Sequence, residues 1–74
     1  MKKPEAEQGI RYLCTKWARE IGLNAKQYET ASFSQFWTWL RLNHPEYLDF
    51  GTSTSVAYDV EMWFEQEMNQ SSYQ

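Results

Sequence analysis

The chain has one histidine, His44, and one cysteine, Cys14. These are the side chains best suited to proton transfer or nucleophilic attack near neutral pH. Their settings argue against both uses. His44 stands immediately before Pro45, at an expected helix end, where it is placed to cap terminal carbonyls or meet the helix dipole. Cys14 falls between Leu13 and Trp17 on an apolar stripe, where burial disfavours the thiolate. Glu61 and Glu65 are one helical turn apart, and Asp59 lies close by, so paired carboxylates could hold a cation weakly. No Asp-rich loop or Glu-x-x-His ligand motif accompanies them. The three glycines are isolated, which excludes a glycine-rich phosphate loop. One Cys and one His cannot build a structural zinc site within one chain, and a single Cys cannot form an internal disulfide. The sequence therefore predicts no catalytic residue, no metal site and no cofactor.

What must position these residues is a small scaffold without staples. Seventy-four residues allow one domain, residues 1–74, with a polar tail at about 70–74 expected to fray. A chain of this size is marginal unless something compensates for its small core. The composition supplies large rings, with Phe, Trp and Tyr making up 18% of residues. Each can bury roughly 150–250 Å². The stretch FSQFWTWLRLNHPEYLDF at 33–50 concentrates six of them.

Apolar residues at Ala6, Ile10, Leu13, Cys14, Trp17, Ala18 and Ile21 keep helical spacing and predict a helix over 4–21. Pro4 suits its first turn, and Gly22 suits a left-handed C′ position with Leu23 packing back on Ala18. Gly9 is expected to weaken this helix by about 1 kcal/mol relative to alanine. Asn24 and Gln27 have capping-box spacing, which predicts a short helix over 25–30. Ser32 and Gln35 repeat the signal ahead of a helix from Phe33 that must stop before Pro45. Its core side carries Phe33, Phe36, Trp37 and Leu40. Trp39 and Leu42 point elsewhere and are expected to pack under PEYLDF, a segment read as a single turn closed by Gly51. TSTS at 52–55 reads as a loop rich in N-cap residues. Val56, Ala57, Val60, Trp63, Phe64 and Met68 then mark a helix over 54–69. The expected fold is all-α, a small bundle of three main helices with one or two short helical turns.

The net charge of −3 conceals a division. Residues 1–41 carry +3 and residues 42–74 carry −6. On the last helix Tyr58 and Met62 lie opposite Val60, with Glu61 and Glu65 beside them. Interfaces favour Tyr and Met at their centre and charge at the rim. Tyr58, Glu61, Met62 and Glu65 are therefore the expected contact residues for a protein partner with a basic or apolar surface. A homodimer through the same face is a variant of that reading. Apolar runs are too short for a transmembrane helix, the N-terminus lacks the apolar stretch of a signal peptide, and a lone cysteine suits a reducing compartment. A cytoplasmic location is expected.

One segment has a recognisable pattern. In TKWAREIGLNAKQYETAS, residues 15–32, Ala18, Gly22 and Leu23 occupy the small, glycine and apolar places of a turn between two helices. The segment resembles the helix-turn-helix of DNA-binding proteins. That resemblance implies a recognition helix within 24–31, with Lys26, Gln27 and Thr30 reaching base edges. DNA affinity rests largely on phosphate neutralisation, and the chain is acidic overall. A non-enzymatic protein-interaction module is thus the leading expectation, and sequence-specific DNA binding the alternative.

Overall fold

The computed structural model describes residues 1–24, 27 and 30–72, with side chains as far as residue 69. Helix α1 spans Lys3–Glu20, α2 spans Phe33–Asn43, a 3-10 turn spans Pro45–Leu48, and α3 spans Val56–Ser72. This is the expected all-α bundle of three helices with a short turn, and no strand occurs among the described residues. None of these helices is long and apolar enough to cross a membrane. The short helix expected over 25–30 lies largely outside the described residues.

Local chemistry sets each boundary. The N–H of Gly22 bonds Arg19 O at 3.1 Å, and the N–H of Leu23 bonds Ala18 O at 2.9 Å. Gly22 has φ +83°. This is a Schellman closure, and it places Ile21 at the C-cap, just beyond the last helical residue. Helix α2 begins at its expected cap, where Ser32 Oγ accepts from Gln35 N–H at 3.4 Å. It ends one residue before His44, whose backbone at φ −140° and ψ 54° has left the α region, as expected for the residue ahead of proline. Helix α3 starts at Val56, two residues later than expected. Ser55 is the cap, with its Oγ accepting from Tyr58 N–H at 3.0 Å, and Thr52 and Thr54 are engaged elsewhere. The helix then continues to Ser72, three residues past the expected end, because NQSS contains no breaker.

The direction of each helix follows from its contacts. Lys3 meets Asp59, and Arg11 meets Gln66 and Glu67, so α1 and α3 run in the same sense. Helix α2 runs the other way: Phe36, near its start, touches Trp17 late in α1, and the turn that follows α2 returns to Gly9. The bundle is up, down, up.

Rings from all three helices fill one half of the interior. Phe36 and Phe64 stack at 5.1 Å, while Trp17 stands edge-on to Phe36 at 5.4 Å and to Phe64 at 5.9 Å. Each such pair contributes about 0.5–1.5 kcal/mol beyond area burial. Ala6, Ile10, Leu13, Cys14, Trp17 and Ala18 of α1 are buried as their spacing predicts, as are Leu40, Val60, Trp63 and Met68. Of the other expected core positions, Phe33, Trp37 and Val56 are half-buried against the core, and Ile21 and Ala57 are exposed. Ile21 is 49% exposed because the helix has ended before it. Ala57 is exposed at the first turn of α3. Leu42 is 77% exposed, while its neighbour Trp39 is half-buried against Phe36 and His44. Leu42 therefore does not pack under the turn as expected, and the ring neighbours of Trp39 are Phe36 and His44.

Gly9 has a packing reason. The Tyr47 ring lies against the α1 backbone there, and a Cβ at Gly9 would overlap the ring, approaching Cδ1 to 2.7 Å and Cε1 more closely still. The glycine gives up helix propensity so that the 3-10 turn can seat on α1.

Candidate interaction surfaces

The outer face of α3 follows from its inner one. With Val60, Trp63 and Phe64 buried, the 3.6-residue repeat turns Tyr58, Glu61, Met62 and Glu65 outward. Their spacing of three, one and three is a continuous seam on one side of a helix. Tyr58 is 59% exposed and Met62 37%. The four sequence-predicted contact residues therefore share a surface.

The acidic residues of α3 divide by use. Glu67 faces Arg11 Nη1 at 3.5 Å. Asp59 is almost wholly buried, and its carboxylate accepts from Thr52 Oγ1 at 2.5 Å and Thr54 Oγ1 at 2.6 Å. Lys3 Nζ approaches Asp59 Oδ2 to 3.4 Å and donates to Thr52 Oγ1 at 3.2 Å. The hydroxyl of Thr52, then that of Thr54, holds the Asp59 carboxyl below the usual carboxylate range, and the Lys3 ammonium adds to this. Asp59 is thus a structural acid joining the start of α1 to the loop before α3, and it does not form an outward pair with Glu61. Glu61 and Glu65 lie exposed beside Tyr58 and Met62.

The residues considered for chemistry are occupied in the fold. Burial pushes the Cys14 thiol up to about 12, so it stays protonated at neutral pH. The His44 ring sits between Trp39 at 5.2 Å and Tyr47 at 6.2 Å, and its Nδ1 is 3.6 Å from Glu46 Oε1. The helix-end carbonyl of Leu40 is capped by the backbone N–H of His44 rather than by the imidazole. Among the described residues no three His, Cys, Asp or Glu side chains converge on a metal-sized site.

Of the residues implied by the helix-turn-helix resemblance, Lys26 lies outside the described residues. Gln27 and Thr30 are exposed, but their polar atoms bond within the segment. Gln27 Oε1 accepts from Asn24 N–H at 3.1 Å, and Thr30 Oγ1 donates to Gln27 O at 2.7 Å.

A second surface was not assigned from sequence, although Trp39 and Leu42 pointing away from the core side of α2 signalled it. Ser34, Gln35, Thr38, Trp39, Leu42 and Asn43 line an open groove of about 490 Å³ along the outside of α2. Two of its polar side chains bond back to their own helix, Thr38 Oγ1 to Ser34 O at 3.0 Å and Asn43 Nδ2 to Trp39 O at 2.9 Å. Comparison of the chain with protein-family models, curated proteins and solved structures finds no match. The surfaces themselves carry the functional argument.

Proposed function

We propose that this protein is a non-enzymatic interaction module that binds a basic, partly apolar protein surface through the outer seam of α3. One observation carries the reading. The fold engages the acids at the edges of α3, Asp59 and Glu67, in internal ion pairs with Lys3 and Arg11, and leaves Glu61 and Glu65 exposed around Tyr58 and Met62. An apolar centre with a charged rim is the composition interfaces favour. Two exposed carboxylates steer a basic partner, and binding should weaken as salt rises. A cytoplasmic setting belongs to this proposal, since it keeps Cys14 reduced.

Duplex DNA has less to recommend it as the ligand. Gln27 and Thr30 spend their hydrogen bonds locally, and exposed acids on α3 repel phosphate.

The test compares proteins captured by the wild-type chain with those captured by Tyr58→Ala/Met62→Ala and by Glu61→Lys/Glu65→Lys. We expect one set of partners to be lost from both variants and from wild type at about 0.5 M salt. Thermal stability of the apolar double variant should stay within about 0.5 kcal/mol of wild type, as for most surface changes. Captured sets that neither variant alters would end the proposal. A titration with mixed duplex DNA at about 50 mM salt, where nonspecific affinity is high, should show no binding.

A further inference from the structure

The chemistry that the α3 seam requires of a partner, cations beside an exposed ring, is present on this same chain. On α1, Tyr12, Lys16 and Arg19 are exposed. Their spacing of four and three puts them on one side of the helix, opposite the buried stripe of Ile10, Leu13 and Trp17. We infer, resting on the α3 reading above, that the outer seam of α3 in one copy docks head to tail on this α1 seam of a second copy.

The two seams match in length and oppose in charge. Each opens with a tyrosine and places its second charge seven positions on: Tyr12, Lys16 and Arg19 on α1, and Tyr58, Glu61 and Glu65 on α3. Each therefore covers about 10 Å of helix, over which two cations can face two carboxylates. These are also the charges that the fold leaves over. Lys3 and Arg11 pair with Asp59 and Glu67 inside the chain, whereas Lys16, Arg19, Glu61 and Glu65 are in no ion pair among the described residues. Both seams face away from their own core, so they can meet only between copies. The contact repeats on the outer faces the pairing of α1 cations with α3 acids that the fold already uses within.

A twofold contact would instead set the α3 seam against itself, bringing Glu61 and Glu65 toward their own copies, and like charges so placed repel. A head-to-tail contact joins two different patches, so each copy inside an assembly uses both seams and is held twice. A nucleic acid suits the α1 seam less well. Exposed Glu5 and Glu20 lie beyond its two ends, in the path of an extended phosphate backbone. Seams this short make a single contact weak, salt-sensitive and visible by its concentration dependence.

Sedimentation equilibrium of the intact chain from about 10 µM to about 1 mM, at about 20 mM and about 0.5 M salt, tests the contact. We expect reversible self-association at low salt that high salt weakens. Lys16→Glu blocks the α1 seam and Glu65→Lys blocks the α3 seam, and each should weaken association about fivefold or more. Mixed, the two variants should associate in equal proportion and at wild-type strength, because each supplies the intact seam that the other lacks. A change of two charges either way from −3 leaves them at −5 and −1, so overall charge does not draw them together. Both positions are exposed, and circular dichroism checks that both variants are folded. A Lys16→Glu variant that associates as wild type does overturns the inference, as does a mixture that associates no better than its parts. A wild type that is monomeric at about 1 mM in low salt, yet whose captured proteins depend on Glu61 and Glu65, overturns the inference and leaves the α3 reading with another partner. Captured sets and self-association both indifferent to Glu61 and Glu65 end the two together.

Discussion

The two halves of this bundle are held by different physics. In one, Trp17, Phe33, Phe36 and Phe64 meet ring to ring, from three helices, with centroids 5.1–5.9 Å apart. In the other, the start of α1 is tied to the loop ahead of α3 by one buried carboxylate, two threonine hydroxyls and an ammonium, and Tyr47 rests on a glycine. Ring packing depends on area and shape and is nearly indifferent to pH. The polar closure depends on the ionisation of one acid. A chain too small for a large core thus joins its helices by bulk at one place and by directed hydrogen bonds at another.

The largest way to break the comparison is Phe36→Ala. Phe36 is fully buried and touches Trp17, Trp39 and Phe64, so its loss should cost about 3–5 kcal/mol. A domain of this length has roughly 4–11 kcal/mol in total. Urea unfolding should show the variant largely unfolded at 37 °C, and a midpoint near wild type would mean that the rings are not the main support.

Gly9→Ala probes the other half. Alanine gains about 1 kcal/mol of helix propensity but must displace the Tyr47 ring, and overpacking costs about 1–3 kcal/mol. A net loss of about 1 kcal/mol is expected. Gly51→Ala is the control. Nothing lies within 4 Å of its would-be Cβ and its φ is not positive, so it should be neutral or slightly stabilising. If both behave alike in thermal melts, Tyr47 does not rest on α1 as described.

The gentlest probe is pH. The folded-state pKa of Asp59 is depressed, so the folded chain holds fewer protons than the unfolded one just below the ordinary carboxylate value of about 3.9. Its stabilisation is complete above that value and is lost as pH falls through the depressed folded value. The melting temperature of wild type should therefore fall more steeply between about pH 5 and pH 2 than that of Asp59→Asn. Parallel curves would show that the carboxylate is not held as an anion.

Much of this arrangement was legible from residue order. Helical spacing identified the buried stripe of α1, and Gly22–Leu23 predicted its closure, because capping and periodicity are local. What escaped was set by neighbours distant in sequence. Gly9 read as a weakness because its reason, Tyr47, lies 38 positions on. Asp59 read as one surface acid among several because Lys3, Thr52 and Thr54 enclose it only once the bundle has formed. Leu42 read as covered because the reach of a 3-10 turn cannot be judged from its four residues. The α3 seam could be named from periodicity alone, whereas the exposure of Leu42 needed the folded chain.

The shared direction of α1 and α3 bears on how the chain is made. Lys3 and Asp59 are 56 positions apart. At 5–20 residues added per second, α1 is synthesised about 3–11 s before the helix that covers its apolar stripe. Local contacts cannot shelter that stripe in the interval, so nascent chains should engage holdase chaperones until translation passes α3.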